Sequence, residues 1–231
     1  MTLIYEIYYK KITPTSISKE LPNELLLYDV HTIETNQEEA TKVYEALKKK
    51  LHKENFQTIL NIFMCEAIAF EMDLVAFIVE GFKSERNLQN INNPAIFNIR
   101  SYEKKLFHHV HKMTGFLRFV ELEDGSLYAK LESRFNLVYF LGRHFSKRLN
   151  NQTYYIHDIA RSLVFVHSKE FVGVREVAAF TLPEYSEHEA KFQKLWKEFF
   201  QSVTIQSRKN EKLQKQTVPL LFRTYMSEFE G

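Results

Sequence analysis

The stretch GFLRFVELEDGSLYAKLES, residues 115–133, decides the fold, because the apolar period of the chain changes there. Phe116, Arg118 and Val120 fall on one side and Leu117, Phe119 and Glu121 on the other, with Asp124-Gly125 following. Alternation with period two marks a strand, and the Asp-Gly pair predicts a hairpin closed by a type I′ turn. Gly115, at the junction, is expected to take the positive φ that ends a helix before a strand.

Upstream the period is helical. His108, His109 and His111 close a pattern that starts at Pro94 and runs through Ile96, Ile99, Phe107 and Val110. His108 and His111 could share a face, but a zinc site asks for three or four ligands, and no HExxH or paired Cys-His pattern supplies them. Imidazoles near a helix C-terminus interact favourably with its negative end, so neither metal nor other cofactor is expected. Phe56, Ile59, Leu60 and Phe63, and then Phe70, Leu74, Phe77 and Ile78 before Gly81, predict two more helices. TNQEEATKVYEALKKKL, residues 35–51, predicts another, with Thr35 as N-cap, Glu38 three residues on and Val43, Leu47 and Leu51 on one stripe. LIYEIYY at 3–9 reads as a strand followed by a Pro-containing loop at 14–22.

Downstream, residues 135–148 look helical, while TYYIHD, RSLVFVHS and EFVGVREV look extended, the last two joined at Ser168-Lys169. SEHEAKFQKLWKEFFQSV, residues 186–203, has Ser186 and Glu189 at capping-box spacing. Its stripe of Phe192, Leu195, Trp196, Phe199, Phe200 and Val203 reads as docked on the core and not as a base-stacking platform. The fold class that follows is α+β, a mostly antiparallel sheet with flanking helices and a helical N-terminal part. Residues 1–231 read as a single domain, helix-rich over 1–111 and sheet-containing over 112–231.

Composition sets outer limits. With 45% hydrophobic residues the chain can bury a substantial core, and with only six glycines and five prolines it lacks a disordered composition. No window approaches the roughly 18–20 apolar residues of a membrane helix. The start MTLIYEIYYKK is too short and polar for a signal peptide, so a cytoplasmic protein without membrane contact is expected. The single cysteine, Cys65, excludes an internal disulfide framework and a thiolate metal cluster; within NIFMCEAIAF it reads as a buried filler.

Charge is asymmetric. Residues 1–99 hold 10 Lys and Arg against 14 Asp and Glu, whereas residues 100–231 hold 21 against 15, which points to an anionic partner for the second part. Arg100, Lys104, Lys105, Lys112 and Arg118 face one acid, Glu103; Arg208, Lys209, Lys212 and Lys215 face one, Glu211. Both segments suit phosphate contact or a plain solvated face. His157, Asp158 and Arg161 place an imidazole, a carboxylate and a guanidinium together, the types needed for acid-base catalysis or for a strand-end staple. No nucleophile motif or phosphate-binding glycine loop accompanies them.

Three blocks, HKMTGFLRFVELEDGSLYAKLE, HFSKRLNNQTYYIHDIAR and FQKLWKEFFQSVTIQSRKNEKLQKQTVP, resemble in order and spacing an uncharacterised bacterial family of probable DNA-metabolism or DNA-repair proteins. That resemblance implies a companion module, fused ahead of uracil-DNA glycosylase-like domains or paired with a radical S-adenosylmethionine protein similar to spore photoproduct lyase. It implies a DNA-binding accessory whose candidate nucleic-acid contacts are Lys112, Arg118, Arg148, Arg161, Arg208, Lys209 and Lys212. A nucleic-acid-processing enzyme using His157, Asp158 and Arg161, or a protein-interaction scaffold, are the alternatives.

Overall fold

Residues 3–9, whose alternation predicts a strand, form helix α1 (Thr2–Tyr9) in the computed structural model, which describes residues 1–18, 29–65, 69–178, 184–208 and 210–229. A seven-residue apolar run does not distinguish the two periods by itself, and tertiary contacts settle it. Helical spacing stacks Tyr5 on Tyr9 at 4.2 Å, pairs Lys10 with Glu6 at 2.7 Å and buries Ile4. The Glu6 carboxylate also meets His31 at 2.7 Å, and hydrogen bonds from Lys10 and His31 hold it below its usual range.

Helices α2 (Gln37–Lys50), α3 (Lys53–Cys65), α4 (Glu71–Lys83) and α5 (Pro94–Phe116) follow. The cap of α2 is Asn36, not Thr35: its side chain accepts from the N–H groups of Glu38 and Glu39, the role a short polar side chain plays at a helix start. Val43, Leu47 and Leu51 are buried as their stripe requires, and Cys65 is fully buried with its thiol donating to the Ile62 carbonyl. Phe63 is 65% exposed, outside the buried face of α3. Arg100 donates to Thr58 and Asn55 and lies 5.3 Å over the Phe77 ring, while Glu103 accepts from Thr58 and Asn61 at 3.0 Å each. Arg100 is thus held within the first of two compact units, Met1–Lys105.

The second unit, Leu106–Gly231, carries the sheet. Helix α5 continues through Gly115, which has no positive φ among the described residues, so β1 (Val120–Glu121) has only two residues. The left-handed conformation falls instead on Gly125, at φ 76°, and Asp124 does not share it, which rules out the type I′ turn. Leu122 accepts from the Gly125 N–H and donates to Ser126, whose N–H and hydroxyl both reach the Asp124 carboxylate. The result is a three-residue connection with glycine in the left-handed position.

Strands β2 (Leu127–Leu131), β3 (Tyr154–Asp158), β4 (Leu163–His167) and β5 (Val172–Glu176) complete a sheet of order β1-β2-β3-β4-β5. Pairing is antiparallel except between β2 and β3, which run parallel because helix α6 (Val138–Arg148) crosses over between them. The fold is α+β. Helix α6 lies on the face bearing Tyr154 and Phe165, and the Tyr154 hydroxyl donates to the Gly142 carbonyl at 2.8 Å. Alternation then turns Tyr128, Lys130 and His157 to the opposite face.

Helix α7 (Glu189–Ser202) is followed by α8 (Glu211–Thr217), α9 (Leu220–Arg223) and a 3-10 turn at Ser227–Phe229. Half of the expected capping box is present: the Ser186 hydroxyl accepts from the Glu189 N–H at 3.2 Å, while the Glu189 carboxylate accepts from the Glu121 N–H at 2.9 Å. The aromatic stripe of α7 is not core. Phe192, Leu195, Phe199 and Val203 are more than half exposed and Trp196 is 39% exposed; Phe200 packs against Phe229. Helical periodicity identifies an apolar face but does not say what covers it.

Candidate functional site

The face of the sheet bearing Tyr128 borders a cleft of about 740 Å³, entirely within the second unit. Its floor is Tyr128 and Lys130 on β2; one wall is α7 through Glu189, Phe192, Gln193 and Trp196. Arg118, Phe119, Tyr185, Tyr225 and Ser227 complete it. The α7 wall is fixed at its start, where Ser186 donates its N–H to the Glu121 carbonyl and its hydroxyl to the Glu121 carboxylate.

One residue locks Arg118 beside Trp196. Glu228, whose side chain is 2% exposed, accepts from the Arg118 guanidinium at 2.5 Å. Burial alone would raise its carboxyl, but hydrogen bonds from Arg118 and Trp196 hold it below its usual range. The guanidinium also donates to the Gly115 carbonyl at 2.9 Å and sits 5.6 Å from the centre of the Trp196 ring. Arg118 is therefore a positioned platform element with its charge neutralised. Across the cleft, the Tyr225 hydroxyl donates to Glu132 at 2.6 Å, and burial together with that bond pushes the phenol up to about 12.

The His157, Asp158 and Arg161 group separates into two pairs, because neighbouring strand residues point to opposite faces. His157, 9% exposed, meets the Tyr128 hydroxyl at 2.8 Å through Nδ1. Asp158, fully buried, takes the Arg161 guanidinium at 2.9 Å and its backbone N–H at 3.2 Å. Arg161 also donates to the carbonyls of Ser133 and Arg134, which ties the β3 end to the β2–α6 connection. This geometry is that of a staple.

Burial lowers the His157 imidazole, with Asp158 opposing and Lys130 assisting, and burial raises the Tyr128 phenol to about 12. The phenol therefore stays protonated and the imidazole neutral near pH 7. The unfolded chain takes up the histidine proton at about pH 6.5 and the folded chain only below that. Stability from this group is thus complete above about 6.5 and falls as pH drops into the interval between the two values. His109 shifts in the same direction, through burial first and then His108, Lys112 and Arg134. Burial raises Asp158, which gives it the opposite sign. We expect a melting temperature a few degrees lower at pH 5.5 than at 7.5, with the difference reduced in His157→Gln. An equal difference in that variant would refute the assignment to His157.

Among the described residues no three His, Cys, Asp or Glu side chains gather in a way that could hold a metal. His109 packs between Phe135 and Phe222, at 5.1 and 5.8 Å between ring centres, with the His108 ring farther off at 6.4 Å. Of the cations singled out from the sequence, Arg118 lines the cleft. Arg148 is exposed at the end of α6, over Phe145, and Arg208 and Lys212 are exposed near α8; Lys112 is half-buried on α5. Lys209 lies outside the described residues.

Residues 69–228 match the family model for DUF4130, a domain of unknown function. The chain belongs to the DUF4130 family. Neither a curated protein nor a solved structure matches it. Every residue lining the cleft lies inside the DUF4130 match, as do both pairs made by His157 and Asp158. Helices α2 and α3 precede it. No helix among the described residues is long and apolar enough to cross a membrane. Sequence reasoning missed Tyr128, Lys130, Tyr225 and Glu228. Alternation on β2 carries a signal for the first two, which share a face; nothing local to SEF at 227–229 marks Glu228 as a partner for a residue 110 positions away.

Proposed function

We propose that this DUF4130 protein binds DNA as an accessory to an enzyme of DNA repair or metabolism. The observation that supports this best is the cleft: six aromatic residues line it, with Arg118 and Lys130 among them, in a unit with an excess of positive charge. Residues 106–231 hold 18 Lys and Arg against 14 Asp and Glu. Single-strand binding surfaces combine cations that follow the backbone with rings on which bases stack. Arg148, Arg208 and Lys212 are exposed and, among the described residues, paired with no carboxylate, so they are the side chains suited to phosphates. Arg118 and Arg161 already hold carboxylates and are less suited to that role. The partner would be of the uracil-DNA glycosylase-like or radical S-adenosylmethionine kind that the sequence blocks suggest, and the chemistry would be the partner's.

Fluorescence anisotropy with labelled single-stranded and duplex DNA at two salt concentrations tests the reading. Binding is expected to weaken with salt, and Arg148→Ala or Lys212→Ala should each reduce the slope by about 1 on every sequence alike. Absence of binding to either DNA at low salt would overturn the reading and favour a protein-interaction scaffold.

A further inference from the structure

We propose that the cleft receives one unpaired nucleobase, so that the protein selects single-stranded over duplex DNA; this rests on the DNA-binding reading above and specifies what enters the site. The ionisable groups lining the cleft are Arg118 and Lys130 against Glu121 and Glu189, which cancel formally, and Arg118 is already neutralised by Glu228 behind it. A phosphate inside would meet two carboxylates with one uncommitted cation opposing them. A neutral ring with polar edges meets no such repulsion, and the base is the neutral part of a nucleotide.

The walls fit that occupant. Tyr185, Phe192, Trp196 and Tyr225 offer apolar faces above the Tyr128 floor, and a volume of about 740 Å³ lies within the roughly 300–1,000 Å³ of small-molecule sites. Trp196 packs against the Arg118 guanidinium, which Glu228 fixes, yet remains 39% exposed. A platform fixed before binding loses little freedom when a ring stacks on it. Polar groups for the base edge are also in place: the Gln193 amide, oriented by its 2.9 Å bond to Glu189, the Ser227 hydroxyl and the Lys130 ammonium. A base inside a duplex presents only its edges to the grooves, and its faces are occupied by neighbours, so a ring-lined cleft can be filled only by a base out of the stack. The flanking phosphates then lie outside, where Lys191 and Lys194 of α7 are exposed beside Phe192.

Trp196 is the sole tryptophan of the chain, so its emission reports on this cleft alone. In the full chain, a twelve-residue thymidine oligonucleotide should quench that emission on binding, whereas the matching duplex, under the same salt, should bind more weakly and leave it nearly unchanged. Phe192→Ala keeps the reporter and should weaken single-strand binding roughly ten-fold, the scale of one lost stacking contact. Its duplex affinity should stay as in the parent, and an unchanged circular dichroism spectrum shows that the fold is retained. Trp196→Phe, read by anisotropy of labelled oligonucleotide, should retain most of the affinity. Binding of single strands without quenching, or equal quenching by duplex, overturns base capture while leaving DNA binding in place. No binding of either DNA removes both.

Discussion

An alanine at Gly142 should destabilise the sheet-bearing unit by about 3 kcal/mol, the upper part of the range for overpacking. A Cβ built there would lie 2.1, 2.2 and 2.4 Å from three atoms of the Phe165 ring. That ring is 1% exposed, so it cannot swing into solvent, and α6 cannot retreat without losing the Tyr154 bond to the Gly142 carbonyl. Helix propensity alone has the opposite sign, since alanine in a helix interior is favoured over glycine by about 1 kcal/mol. The two effects are therefore distinguished by direction as well as size. Gly115, helical with nothing within 4 Å of its would-be Cβ, is the control, and Gly115→Ala should gain up to about 1 kcal/mol. Urea midpoints of the two variants check both; stabilisation by Gly142→Ala would mean that α6 does not pack on Phe165 as described.

Gly142 also shows why part of the fold is legible in the sequence and part is not. The change of period near residue 115, the Asp-Gly turn and the extended segments from 153 to 177 are local signals, and they suffice for an α+β unit with a mostly antiparallel sheet. The parallel β2–β3 pair depends on the chain between them folding as a helix that crosses the sheet, and its tight approach depends on a glycine whose reason is a phenylalanine 23 positions away. Residues 3–9 are the converse case. Their alternation is real, but the same residues also place Tyr5 over Tyr9 and Glu6 beside Lys10 at helical spacing, and a short run obeys whichever neighbours exist.

For the candidate site the division runs between charge and context. Sequence identifies Arg118, Arg161 and the aromatic stripe of α7 as noteworthy and includes the staple among the readings of Arg161, but it does not show what Arg118 and the stripe face. The helical period of α7 places Trp196 on a core-facing stripe, yet Trp196 borders a cleft; Arg118 is bound to the Glu228 carboxylate. A basic side chain looks the same in sequence whether it is solvated, reaching for phosphate or pinned to a buried acid. The distinction is a matter of partners far along the chain, such as Glu228.

Arg161 makes that distinction measurable. Arg161→Ala should cost roughly 3–5 kcal/mol of stability, the range for removing one partner of a buried ion pair. Asp158 is wholly buried, and without Arg161 its carboxylate would keep only backbone donors while the Ser133 and Arg134 carbonyls lose theirs. Replacing Asp158 and Arg161 together with leucine and methionine should recover a large part of the loss, because no isolated charge is then left in the interior. Urea denaturation of the single and double variants checks the pair. The salt slope of DNA binding separates this role from phosphate contact: it should be the same in the double variant as in the parent, whereas Arg148→Ala changes it by about 1. A double variant that folds normally but shows a reduced slope would place Arg161 on the DNA surface after all, since loss of a staple alone has no reason to alter how many counterions DNA releases.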